Sequence, residues 1–79
     1  MKLANPIEIN DEYITLGQFL KFADIVPSGG MVKVFLQEYS VYVNGELETR
    51  RGKKLRPGDE IEISEFGSFQ IKQASEESH

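Results

Sequence analysis

The sequence predicts an α+β domain in which a helix–turn–helix pair packs on one face of a small, bent, mostly antiparallel β-sheet. Three observations carry that expectation. Apolar residues recur at helical spacing from Leu16 to Tyr39. The apolar period changes to two after Ser40. Two turn signals, Asn44-Gly45 and Pro57-Gly58-Asp59, then cut the remainder into short strands. With 79 residues and no cysteine, one small domain is expected, without disulfides or a thiolate metal site. Its stability rests on an apolar core drawn from a composition that is 39% hydrophobic and 28% charged.

Taken in order, residues 6–10 (PIEIN) alternate apolar and polar and read as a first strand, which Asn10-Asp11-Glu12 breaks. Thr15 and Gln18 have capping-box spacing, with the Thr15 hydroxyl accepting from the backbone one turn in and Gln18 reaching back. Leu16, Phe19, Leu20 and Ala23 form one face of a helix that runs to about Ile25, where Pro27 is expected to end it. Ser28 is a suitable N-cap for a second helix striped by Met31, Val32, Phe35, Leu36 and Tyr39, after a link of about two or three residues. Val41 and Val43 lead into Asn44-Gly45, a type I′ hairpin signal, and residues 46–50 form the return strand. Strands at 60–64 and 68–72 follow, with Ile61, Ile63, Phe69 and Ile71 inward.

Residues 50–56 read RRGKKLR, five positive charges in seven positions, on a chain of net charge −4. Outside that stretch thirteen acidic residues face four basic ones, leaving −9. A basic loop held between strands suits a polyanion, nucleic acid above all, while the acidic body confines such a partner to one orientation and makes binding salt-sensitive. Five contacts to single-stranded phosphates would give a log-affinity versus log-salt slope of about −3.5, at roughly −0.7 each. The structural alternative is a solvated loop whose charges pair with Glu46, Glu48, Glu60 or Glu62 across the sheet.

From Thr15 to Ile63 four pieces stand in a distinctive order: TLGQFLKFADIV, SGG with MVKVFLQ after it, VYVNG, and KKLRPGDEIEI. In this the chain resembles the RNA-binding domain first defined in bacterial small-subunit ribosomal protein S4, also called the alpha-L motif. With IEIN before that core and GSFQIK after it, the chain is similar to the small stand-alone YaaA-like proteins of bacteria. The resemblance implies a single RNA-binding domain over residues 1–72, with a core at 15–63, flanking strands at 6–10 and 68–72, and a flexible polar tail at 73–79. It implies binding to structured RNA, ribosomal RNA or a ribosome assembly intermediate, through phosphate and shape rather than base sequence. Carried over by position, the RNA-binding residues are Gln18 and Lys21 on the first helix and Ser28, Gly29, Gly30 and Lys33 at the second. Arg50, Arg51, Lys53, Lys54 and Arg56 complete the set in the loop. Many relatives carry arginine where this chain has Gly29 and Thr15, so more of the binding is expected to fall on residues 50–56.

Each position has a plainer reading beside the functional one. The Ser28-Gly29-Gly30 helix start is either an anion site, aided by Lys33, or simple capping. Asn44 is first a turn residue. Among the aromatics, Phe22 and Tyr42 fall off the apolar stripes and are candidates for stacking on bases. Catalysis has little to work with: the sole histidine is His79, and neither a phosphate loop nor a dinucleotide fingerprint is present. No enzyme activity, cofactor or metal is expected. An alternative is a β-grasp-like carrier or protein-docking module, although carrier chemistry needs a C-terminal Gly-Gly and this chain ends SEESH. With no signal-peptide pattern and no apolar run near the roughly 20 residues that span a bilayer, a monomeric cytoplasmic protein is the default expectation.

Overall fold

A computed structural model describes residues 4–74. In chain order the elements are β1 (Asn5–Ile9), β2 (Ile14–Thr15), α1 (Leu16–Phe22), a 3-10 turn (Gly29–Met31), α2 (Val32–Glu38), β3 (Val41–Val43), β4 (Glu46–Leu47), β5 (Lys54–Leu55), β6 (Glu60–Ile63) and β7 (Gly67–Gln73). Two sheets form: a five-stranded one in the order β1-β7-β6-β3-β4, and a two-stranded ribbon of β2 with β5. The large sheet is mixed, because β1 runs parallel to β7, with Ile7 opposite Ile71. The β7–β6, β6–β3 and β3–β4 pairings are antiparallel.

Strict alternation sorts the sheet into two faces. Val41, Val43, Ile61, Ile63, Phe69 and Ile71 point inward and are buried. Leu16, Phe19 and Leu20 of α1 and Val32 and Phe35 of α2 meet them in one core, joined by Leu55 from the small ribbon. The Phe19 ring packs edge-on against Phe69, with centroids 5.5 Å apart. Phe66 closes one end of the core while remaining 41% exposed, packing edge-on against Phe35 and Tyr39. On the opposite face Tyr42 and Leu47 sit across from one another, with Glu62 beside Tyr42.

The α+β class is as the sequence predicts, and several details differ. α1 stops at Phe22, before Pro27 can act. Asp24 takes a left-handed backbone (φ 64°), so its amide reaches the Lys21 carbonyl and the Ile25 amide reaches that of Leu20. That double bond pattern is a Schellman ending, with aspartate in the place more often taken by glycine. Six residues, 23–28, therefore separate α1 from the 3-10 turn, in place of a two- or three-residue link. Ser28 has an extended backbone but makes no side-chain cap bond, and α2 begins only at Val32. The return strand after the hairpin is two residues long instead of five. Within the expected tail, Gln73 belongs to β7, and residues 75–79, His79 included, lie outside the described residues.

The two turn motifs bind each other. Asn44 (φ 52°) and Gly45 (φ 87°) form the left-handed pair that a tight hairpin needs. Asn44 Nδ2 also donates to Asp59 Oδ1 (3.1 Å), and the Glu60 amide donates to Asn44 Oδ1 (3.0 Å). Asp59 Oδ2 in turn accepts from the Arg56 amide (2.8 Å), at the end of the basic stretch. Asp59→Ala removes two of these bonds, each worth about 1 kcal/mol, and is expected to lower unfolding free energy by about 1–2 kcal/mol in urea titration. Asn44→Gly keeps the backbone angle and loses the side-chain bonds. The double variant should cost less than the sum of the two, whereas strict additivity would show that the motifs are not coupled.

Candidate nucleic-acid interface

A helix begins with amide groups that have no intrahelical acceptor. In α1 every one of the first three finds a partner, and two of the partners lie in the basic loop. The Leu16 amide donates to the Lys53 carbonyl (2.8 Å) and the Gly17 amide to the Arg51 carbonyl (2.9 Å). The Gln18 amide donates to Thr15 Oγ1 (3.2 Å), while Gln18 Oε1 accepts from the Thr15 amide (3.0 Å), completing the capping box. The β2–β5 ribbon extends the attachment, pairing Thr15 with Lys54 and Ile14 with Leu55, whose side chain is fully buried. Residues 50–56 are thus fastened to the start of α1 through their backbone, leaving the cationic side chains to point elsewhere. Gly17 fits this approach: a Cβ there would lie 3.5 Å from both the Cβ and the carbonyl oxygen of Arg51, ordinary contact for a methyl group with little room beyond it.

This attachment brings most of the sequence-predicted residues onto one surface. Gln18, Lys21, Gly29, Arg51 and Gly52 line a single depression. Arg51 also borders a second, with Lys33, Gln37 and Thr49. Gly52 borders a third, with Arg50, Lys53, Lys54 and Arg56. A Cβ at Gly29 would lie 4.0 Å from Lys21 Nζ, so the ammonium group stands beside the 3-10 turn. Gly30 and Ser28 are exposed at that turn, which is closed through backbone: the Ser28 carbonyl accepts from the Met31 amide (3.1 Å) and the Gly29 carbonyl from the Val32 amide. Gln18 is partly committed, since its carbonyl oxygen serves the cap.

The five loop charges are not equivalent. Arg50 forks onto Glu48, with Nε 3.0 Å from Oε2 and Nη2 3.3 Å from Oε1, and its own amide donates to Oε2 (2.9 Å). The Arg50 side-chain and backbone hydrogen bonds hold the Glu48 carboxyl at about 2, well below the usual carboxylate range. One charge of the loop therefore takes the paired, structural reading, through a partner two residues away rather than across the sheet. Among the described residues Arg51, Lys21 and Lys33 make no ion pair, and Lys53 acts on the Glu48 carboxylate only through space. Lys54 Nζ lies 5.0 Å and Arg56 Cζ 5.8 Å from the centroid of the Tyr13 ring.

The stacking candidates separate. Tyr42 is on the outer sheet face, whereas Phe22 ends α1, is 61% exposed and borders Tyr13 and Lys21. Tyr13 is the aromatic that sequence reasoning missed. It belongs to no apolar stripe, and its signal lay in the alternating cations Lys54, in β5, and Arg56, just after it. Among the described residues no group of three acidic, histidine or cysteine side chains is placed to hold a metal ion. Among the described residues no helix is long and apolar enough to cross a membrane.

The model of the S4 domain family matches residues 7–72. A protein of Bacillus subtilis (strain 168) described as a probable ribosome maturation protein, RlbA, is 61% identical over 69 residues, covering 87% of this chain and 97% of that one.

The Glu48–Arg50 pair gives a pH dependence of definite sign. Because the folded-state pKa of Glu48 is depressed from 4.5 to about 2, its stabilisation is fully present above pH 4.5 and lost as pH falls toward 2. Wild type is expected to melt above Glu48→Gln at pH 7, with the gap closing between pH 4.5 and 2. Thermal melts of both proteins across that range measure it, and a gap independent of pH would contradict the pairing.

Proposed function

The chain belongs to the S4 domain family, and from that premise we propose that it binds structured RNA, ribosomal RNA or a ribosome assembly intermediate, without catalysing a reaction. The observation that carries the proposal is the backbone attachment of residues 51–54 to the start of α1. It makes one continuous cationic surface out of a loop and two helices that are far apart in sequence. Lys21 and Lys33 contribute from the helices, and Arg51, Lys53, Lys54 and Arg56 from the loop. The backbone that carries the loop cations is set by hydrogen bonds, so the loop need not be ordered on binding and the ordering cost falls on the side chains alone. A ribosome maturation role is the natural setting, given the name of the Bacillus relative.

Recognition on this surface is of phosphate and helix shape. Double-stranded RNA hides its major-groove base edges from side chains and offers phosphates and 2′-hydroxyls instead. Arginine 51 suits two oxygens at once, and the lysines act as point charges. The α1 N-terminus is not itself a phosphate site, because the loop carbonyls already occupy its amides. The acidic remainder of the chain repels RNA from other faces and fixes the docking orientation.

With Arg50 committed to Glu48, four loop contacts remain, and on a duplex the salt slope from the loop is about −3.6 at roughly −0.9 per contact. Reversing Arg51, Lys53, Lys54 and Arg56 to Glu is expected to abolish retention on ribosomal RNA in filter binding, with circular dichroism unchanged. Arg50→Ala should weaken binding less than Arg51→Ala. Undiminished binding by the fourfold reversal would refute the proposal, as would a Lys33→Ala effect larger than loss of the loop charges refute the primacy of the loop.

A further inference from the structure

Beside the cationic surface lies a groove of different character. Tyr13 and Phe22 are 39% and 61% exposed, and both rings line it. Gln18 and Lys21 stand along it, as do Glu8 and Asp11, in a volume of about 510 Å³. That size lies within the ~300–1,000 Å³ range of small-ligand clefts. Lys21 belongs both to this groove and to the depression shared with Arg51. Lys54 and Arg56, against the Tyr13 ring, join the groove to the loop.

Charge decides what can occupy it. A phosphodiester entering the groove would meet Glu8 and Asp11, so phosphate belongs on the Lys21 side. A nucleobase is neutral, offers a π face to an exposed ring, and carries amino groups that a carboxylate can accept from. The groove has aromatic surface, acceptors, and cations at the side nearest the loop, which is the order of parts along one extruded nucleotide. We infer that this groove receives an unpaired, amino-bearing base of the RNA whose backbone lies on residues 51–56. The inference rests on the proposed RNA role of that loop.

Two hairpin RNAs that differ only in one bulged 2-aminopurine test it. The full-length chain is expected to bind the bulged hairpin roughly ten- to hundredfold more tightly, the worth of one stacked base, with 2-aminopurine emission quenched. Phe22→Ala and Tyr13→Ala should each reduce that preference and the quenching, and Tyr13→Phe should retain them, with melting curves verifying the fold. If wild type binds both hairpins equally, or the alanine variants keep the preference, while the fourfold loop reversal still abolishes binding, the groove is not a base site and the loop reading stands. If wild type binds neither hairpin, both fall together.

Discussion

Two backbone hydrogen bonds, from the Leu16 and Gly17 amides to the Lys53 and Arg51 carbonyls, set the geometry on which the interface depends. They resolve two local problems at once. A helix of seven residues needs acceptors for its first amides, and a loop carrying five positive charges needs something to hold it in place. The loop carbonyls meet the positive end of the helix, so the fastening uses none of the cationic side chains. Because the fastening is through backbone, it survives changes in the side chains that give the loop its charge. That separation is what makes charge substitutions there informative about binding rather than folding.

A second constraint fixes the other end of the loop. Asn44 and Asp59 join the hairpin to the turn before β6, and Asp59 also holds the Arg56 amide. The Gly58 amide then bonds the Ile71 carbonyl, and the Ile71 amide bonds the Asp59 carbonyl, tying the turn to β7. The basic stretch is therefore suspended between α1 and the large sheet. Within it Arg50 is spent on Glu48, so the positive face extends from Arg51 onward and continues onto the helices at Lys21 and Lys33.

Much of this was legible in the sequence because it is local. The Thr15/Gln18 capping box, the apolar stripe of α1, the Asn44-Gly45 hairpin and the inward set of β6 and β7 follow from spacing within a few residues. What escaped is nonlocal or too short to have a period. β2 and β5 have two residues each, and the parallel pairing of β1 with β7 joins segments more than sixty positions apart. Proline 27 was a plausible helix stop, but Asp24 ended the helix first by accepting a left-handed backbone. The candidate site shows the same division. Its charged residues were visible as composition, whereas the pairing of Arg50 and the place of Tyr13 beside Lys54 and Arg56 required geometry.

The attachment of the loop to α1 can be measured without any ligand. Amide hydrogen exchange by NMR on the free protein reads the Leu16 and Gly17 bonds directly. If the loop is fastened as described, both amides exchange as slowly as the Ile71 amide inside the large sheet. Exchange at the rate of exposed amides, with Ile71 still protected, would contradict the account and leave residues 50–56 as a charged but unanchored loop.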